Sequence, residues 1–221
     1  MRAALAVAFL ALSALARAAD DGVLRYKVPA GEEGDRSWLV YARVQPQGSN
    51  FAVKLEFSRP PWGEDCKNRC GNAVLWIDTD GDPHTGIQAP GKPMHGADLA
   101  IHVEGVRDYV GESAATYLRA KVWQLAADAT RMEDGEVIAE LDHRRDTERL
   151  ASEGKEVFLL VDATSAALPV GKACKVTYVP PGDKAVSARC KGLGTGAIAG
   201  GKRPAVGLPK AKTTRKSKRR K

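Results

Sequence analysis

Hydrophobic and polar residues alternate along several stretches of this chain. The clearest stretch is residues 51–57, where every second residue from Phe51 to Phe57 is apolar and Lys54 and Glu56 lie between them. A period of two places the apolar side chains on one face of an extended chain, so the pattern predicts a half-buried antiparallel strand. Similar alternation, or a short apolar run, predicts further strands over residues 23–29, 37–45, 74–77, 97–103, 115–125, 136–142, 156–163, 174–179 and 184–190.

A single stretch favours a helix. Residues 143–153 are highly charged with a few apolar positions, and Gly154 would end a short helix there. Residues 46–50 contain Pro, Gly, Ser and Asn, and predict a five-residue hairpin loop. About nine strands with one short helix predict an all-β fold, an antiparallel β-sandwich.

The chain divides into three segments. Residues 1–18 have a positive start, an apolar core and an A-x-A cleavage signal ending at Ala18, which predicts a secretory signal peptide. No cysteine follows the cleavage point, so a lipid anchor is not indicated; an uncleaved amphipathic anchor is the alternative. Residues 19–190 are the predicted sandwich domain, and 191–221 are a tail. Export predicts a secreted or periplasmic protein.

The tail differs from the body in charge. Eleven of the 34 Lys and Arg residues lie in residues 191–221 and two in residues 1–18, so residues 19–190 hold 21 bases against all 27 acids, a net charge of −6. A segment of this composition cannot bury a core and is predicted to be disordered. Its densest charges are Lys210, Lys212, Arg215, Lys216, Lys218, Arg219, Arg220 and Lys221.

Such a tail favours polyanions: acidic polysaccharide, lipopolysaccharide phosphate, extracellular DNA or an anionic membrane surface. No aromatic residue lies among its charges, so sequence-specific reading of nucleic acid is not expected. The alternative is a tail that neutralises the acidic body. Residues 196–202 fit G-x-x-x-x-G-K, but Arg203-Pro204 follows where a phosphate-binding loop needs Ser or Thr and a helix.

Four cysteines in an exported chain predict disulfides. Among the three possible pairings, Cys66–Cys70 with Cys174–Cys190 is favoured. Two strands about the turn at residues 180–183 would place Cys174 and Cys190 opposite each other, within cross-strand reach. A four-thiolate metal site is the alternative, although the pairs lack C-x-x-C spacing.

An acidic loop follows the apolar run at residues 74–77. Asp78, Asp80 and Asp82 occupy alternate positions there, and carboxylates this close repel one another unless a cation or hydrogen bonds hold them. The D-x-D-x-D spacing suits calcium, a hard ion with six to eight oxygen ligands. It is not an EF-hand, because Pro83 stands where Gly is required and Ala89 where Glu is required. The alternative is an Asp-rich turn whose carboxylates accept backbone N–H bonds.

Two motifs here resemble those of secreted bacterial β-sandwich domains related to the DOMON and family-9 carbohydrate-binding modules. The first is D-x-D-x-D-x-x-T-G, from Asp78 to Gly86, and the second is G-A-D with Ile three residues on, from Gly96 to Ile101. The resemblance covers about 30 residues and implies a jelly-roll-like sandwich, a calcium ion near the loop and, in some relatives, sugar or haem binding. Leu99 stands where an aromatic is usual, which weakens the sugar-binding inference. We predict cation ligands at Asp78, Asp80, Asp82 and Asp98, with turn support from Thr85, Gly86 and Gly96.

Histidines and a basic strand face offer further candidates. His84, His95 and His102 lie in or beside the acidic region and could contribute to a zinc or copper site, although no tight His spacing is present. On the strand at 115–125, one face combines basic and aromatic side chains that could form a ligand platform or an ordinary solvated surface: Tyr117, Arg119, Lys121 and Trp123.

Common catalytic motifs are missing, including G-x-S-x-G and H-E-x-x-H. The sequence therefore predicts a secreted, non-catalytic binding module, stabilised by calcium, for envelope or matrix glycans. The alternative is a structural matrix or coat protein attached to polyanions through its basic tail.

Overall fold

A computed structural model describes residues 22–32, 34, 36–47, 50–63, 70–110, 113–162 and 173–191. Across these residues the chain forms eleven β-strands and one 3-10 turn, Met132–Asp134. The strands are β1 Val23–Arg25, β2 Leu39–Gln47, β3 Asn50–Phe57, β4 Asn72–Asp78, β5 Leu99–Val110, β6 Ser113–Gln124, β7 Glu136–Asp142, β8 Leu150–Glu153, β9 Glu156–Asp162, β10 Ala173–Tyr178 and β11 Val186–Lys191. The predicted all-β antiparallel sandwich is confirmed.

The strands build two antiparallel sheets. The five-stranded sheet has the order β1-β2-β3-β9-β8, and the six-stranded sheet has the order β11-β10-β4-β5-β6-β7. The alternation in β3 is borne out, since the apolar residues from Phe51 to Phe57 are buried and those between them are half-buried. The main core joins the inner faces of both sheets, with Leu39, Leu55, Leu118 and Leu150 fully buried in it. Burial of this apolar surface is the main favourable term of the fold.

The helix predicted over residues 143–153 is wrong. The chain turns after Asp142 and then forms β8, which pairs with β9 at the edge of the five-stranded sheet. Leu150 lies in the main core with 0% exposure. Its N–H donates to the carbonyl of Asp146 at 2.8 Å, which closes a single turn directly before the strand. Pairing with β9 and burial of Leu150 outweigh the weak helical preference of a short charged segment.

The hairpin loop is shorter than predicted. Strand β2 extends to Gln47 and β3 begins at Asn50, and these two residues are register partners, so two residues lie between the strands instead of five. The sheet ladder continues through Pro46, opposite Phe51. Cross-strand pairing thus extends into a segment whose composition is typical of a turn.

The disulfide between β10 and β11 is confirmed. Cys174 and Cys190 are register partners with Cα atoms 4.8 Å apart, and both are buried in the main core. Cys70 is also disulfide-bonded, whereas Cys66 lies outside the described residues. The predicted signal peptide and the basic tail beyond Lys191 lie outside them too. Within the described part of the chain, no helix has the length and hydropathy to span a membrane.

Candidate metal centre

The loop with the predicted cation ligands connects two neighbouring strands. Ile77 in β4 and Leu99 in β5 are register partners, and the N–H of Asp98 donates to the carbonyl of Ile77 at 2.9 Å. The loop that leaves β4 after Asp78 therefore returns, at Asp98, to the end of β4. This pairing brings together carboxylates that are twenty positions apart in the sequence.

Asp98 is the buried member of this group, with 1% exposure. Its Oδ2 accepts hydrogen bonds from the backbone N–H of Thr79 at 2.7 Å and from the Thr79 hydroxyl at 2.8 Å. Its Oδ1 is buried and has no hydrogen-bond partner among the described residues. A buried carboxylate oxygen without a partner is costly, and a bound ion or water would offset that cost.

Asp78 and Asp80 lie beside Asp98. One carboxylate oxygen from each of the three residues can be chosen so that all lie within 4.8 Å of one another. Oxygens around one calcium ion, each about 2.3–2.6 Å from it, are separated by up to about 5 Å. Both Asp78 and Asp80 are half-buried, so water can reach this group from one side.

The electrostatics favour a cation at this point. Burial raises the pKa of Asp98 to about 6. The hydrogen bonds from Thr79 lower this pKa, and the negative charge of Asp80 raises it. The nearby Thr85 hydroxyl lowers it slightly, as the smallest of these effects. Burial also raises the pKa of Asp78. Both carboxyl groups therefore hold their negative charge at a cost, which a bound cation would offset.

Asp82 lies outside the group formed by the other three predicted ligands. Its side chain is exposed, and its Oδ1 accepts the N–H of His84 at 2.9 Å. Its carbonyl accepts the Thr85 hydroxyl at 2.9 Å. Asp82 thus stabilises the turn, which is the role that was predicted for Thr85. The structure brings the other three predicted ligands together: Asp78, Asp80 and Asp98.

The two predicted glycines both adopt positive φ angles. Gly86 has a φ of +60°, and a Cβ there would overlap the carbonyl of Ala97. Gly96 has a φ of +82° and lies against Pro83. Between them, Ile87 exchanges backbone hydrogen bonds with Ala97 and Gly96, so the loop folds tightly on itself. Both glycines fit the close approach of two backbone segments.

The histidines do not join the carboxylate group. The group of potential metal ligands that the described residues contain has three aspartates and none of His84, His95 or His102. His102 Nε2 lies 3.0 Å from Asn72 Oδ1 on the outer face of the six-stranded sheet. The donor set is therefore entirely oxygen, the type that hard ions prefer.

The predicted ligand platform on β6 is largely engaged within the fold. Arg119 donates to Glu104 at 2.9 Å, and Lys121 lies 3.7 Å from a carboxylate oxygen of Glu140. Tyr117 and Trp123 are buried, at 8% and 7% exposure. Neighbouring strands thus supply carboxylates to both cations, and less of this face is free for a ligand than the sequence implied.

The sequence did not predict that Thr79 contacts Asp98, or that an apolar residue of the loop covers Trp123. Thr79 is fully buried and fixes the orientation of Asp98, but the intervening position of a D-x-D spacing carries no signal of its own. Ile87 packs with Trp123 in a second apolar cluster on the outer face of the six-stranded sheet. The signal in the sequence was the presence of apolar residues such as Ile87 in a Gly- and Pro-rich loop, and this does not show which residue Ile87 contacts.

Fold and site together define an antiparallel β-sandwich with an oxygen-rich candidate metal centre where one loop enters and leaves the six-stranded sheet. No family model, curated protein or solved structure matches this chain. The likeness to DOMON and family-9 carbohydrate-binding modules therefore stays a prediction from two short motifs.

Proposed function

We propose that this protein is a non-catalytic binding module that holds one calcium ion at Asp78, Asp80 and Asp98. The observation that carries the proposal is the buried Oδ1 of Asp98, which has no hydrogen-bond partner among the described residues and belongs to a group of three close carboxylates. An ion would satisfy that oxygen and relieve the repulsion among the three charges.

Calcium fits this donor set better than other common ions. All three side chains offer hard oxygens, and the two half-buried aspartates leave room for water and carbonyl ligands to complete six to eight contacts. Magnesium requires a stricter octahedron at shorter distances, and zinc and copper favour imidazole or thiolate ligands.

An Asp-rich turn without an ion explains part of the same geometry. Asp78 Oδ1 accepts the N–H of Gly81 at 2.6 Å, and Asp80 Oδ1 accepts the N–H of Asp82 at 2.8 Å. These bonds stabilise the turn by themselves. They leave Asp98 Oδ1 unexplained, and this atom separates the two interpretations.

Calorimetric titration of the chelator-treated full chain with calcium chloride tests the proposal, with magnesium chloride in parallel. We expect one site, selective for calcium, and a rise in melting temperature of roughly 5–10 °C at a hundredfold excess of ion over its Kd. Asp98→Asn should abolish both effects. Asp82→Asn, an exposed matched control outside the group, should retain them. A titration without heat and an unchanged melt would overturn the proposal.

The proposed organic ligand is an envelope or matrix glycan. The β-sandwich and the motif resemblance support it, together with Trp76, a half-buried aromatic two residues before Asp78 on the same strand. An aromatic ring can stack against a sugar ring. Glycan-array binding should fall with Trp76→Ala and persist with Phe158→Ala, a half-buried aromatic on the other sheet. Equal signals from both variants would reject Trp76 as the contact.

The eleven bases of residues 191–221 favour a second candidate function, attachment to polyanions through the tail. Deletion of residues 192–221 separates the candidates. If glycan binding survives the deletion and retention on a heparin column is lost, the sandwich binds the glycan and the tail binds polyanions. If both are lost, the glycan-binding proposal for the sandwich fails.

A further inference from the structure

At one end, the outer face of the six-stranded sheet carries an apolar cluster that another segment of the chain covers. Leu99 and Ile101 of β5 belong to the main core, whereas Ala100 between them belongs to the second apolar cluster and therefore lies on the opposite face. Its register partner, Trp123 of β6, lies in the same cluster. Ala100 is 0% exposed, although the outer face of a two-layer sandwich usually meets solvent.

The cover comes from the loop between β4 and β5. We call residues 86–97 the strap. Ile87 and Ala97, at the two ends of the strap, are buried in the second cluster together with Trp123 and Ala100, and Met94 packs against it. The strap is also tied to the loop after β6, since the N–H of Gln88 donates to the carbonyl of Ala129 at 2.7 Å.

The candidate ion would close the base of this strap. Asp78 and Asp80 precede the strap, and Asp98 follows it directly. The ion would therefore link the chain on both sides of the strap, which shortens the free loop and reduces the entropy gained on opening. The second cluster is small, with six buried residues, so it contributes less to holding the strap than the main core contributes to the sheets.

We propose that calcium at Asp78, Asp80 and Asp98 latches the strap over the outer face of the six-stranded sheet, so that ion loss opens the strap and uncovers Trp123 and Ala100. This inference rests on the proposed calcium site and adds a conformational consequence to it. The ion and the apolar contacts of Ile87 are then coupled, because each stabilises the same closed arrangement.

Hydrogen exchange followed by mass spectrometry on the full chain, with calcium or with EDTA, tests the latch. We expect peptides that cover residues 86–97 to exchange at least about tenfold faster in EDTA, while peptides from the middle of β5 and from β3 stay unchanged. If calorimetry shows calcium binding but strap exchange is the same in both conditions, the latch is overturned and the calcium site stands. If calorimetry shows no binding, both are overturned.

A variant that touches no ligand gives a second measurement. Ile87→Ala removes contacts of the strap, and reciprocal coupling predicts roughly a fivefold or greater loss of calcium affinity. The matched control is Ile138→Ala on β7, whose side chain packs against the main core and should leave the affinity unchanged. Equal affinities of the Ile87 variant and the wild-type chain would contradict the coupling, and circular dichroism of both variants verifies that they fold.

Discussion

Asp98 accepts two hydrogen bonds from Thr79, one from the backbone N–H at 2.7 Å and one from the hydroxyl at 2.8 Å. Both residues are buried, and nineteen positions separate them. Both bonds end on Oδ2, so the second oxygen of the same carboxylate is left to the group that also contains Asp78 and Asp80. Thr79 thereby orients the central carboxylate of the candidate metal centre.

Replacement of Thr79 by Val tests that orientation. The hydroxyl bond disappears while the backbone bond and the side-chain shape remain, so we expect about 1–2 kcal/mol lower stability and weaker calcium binding. Thr79→Ser keeps the hydroxyl and is the control. Urea unfolding and calcium titration measure the two effects. Unchanged calcium affinity in the Val variant would show that the hydroxyl does not position Asp98.

Replacement of Gly86 by Ala should be strongly destabilising. Alanine would have to adopt a positive φ angle, and its Cβ would overlap the carbonyl of Ala97. We therefore expect a loss of roughly 3 kcal/mol or more in unfolding free energy. Gly91→Ala is a matched control, because Gly91 also has a positive φ, +76°, but nothing lies within 4 Å of its added Cβ. That control should lose about 1 kcal/mol. Thermal melts compare them, and equal losses would reject the close approach at Ala97.

Acid should weaken the corner after β7. The Arg144 guanidinium, hydrogen-bonded to Asp142, lowers the pKa of that carboxyl to about 2. A folded-state pKa below the ordinary value contributes stability above about pH 4, and this contribution is lost as the pH falls from about 4 to about 2. Arg144 is half-exposed, so solvent screens the ion pair, and we expect the unfolding free energy to fall by about 1–2 kcal/mol over this pH range.

Asp142→Asn supplies the comparison for this pH dependence. The variant should be less stable than the wild-type chain at pH 7, and the difference should shrink as the pH approaches 2. Urea denaturation at a series of pH values measures it. A difference that stays constant between pH 5 and pH 2 would reject the ion pair as its source.

Removal of the β10–β11 disulfide should destabilise the fold without changing its topology. The bridge closes a loop with a sequence separation of 16, for which chain entropy predicts about 3 kcal/mol. The Cys174→Ala, Cys190→Ala double variant should unfold at lower guanidinium concentration while its far-ultraviolet spectrum remains that of a β-protein. The wild-type chain with its bridges intact is the reference, and coincident unfolding curves would contradict the prediction.

The sequence was sufficient for most elements whose deciding contacts are short-range or periodic, although it made the β2–β3 hairpin loop too long. Alternation located β3 and most other strands, because burial of one sheet face repeats every second residue. The turn at residues 180–183 set the pairing of β10 with β11, which placed Cys174 opposite Cys190 as predicted. The helix prediction at 143–153 failed because the edge of β9 and the core contact of Leu150 decide that segment, and both depend on residues distant in sequence.

For the candidate metal centre, too, the sequence determined some features and the tertiary structure decided others. The sequence by itself determined the acidic loop, its glycines and, through a motif pair, the inclusion of Asp98. The tertiary structure decided that Asp98 is the buried member oriented by Thr79, that Asp82 lies outside the group, and that Ile87 covers Trp123 on the outer face of the sheet. The reason is physical: local periodicity specifies which residues form strands, but burial and distances between side chains are set by strand pairing and layer packing across the whole chain.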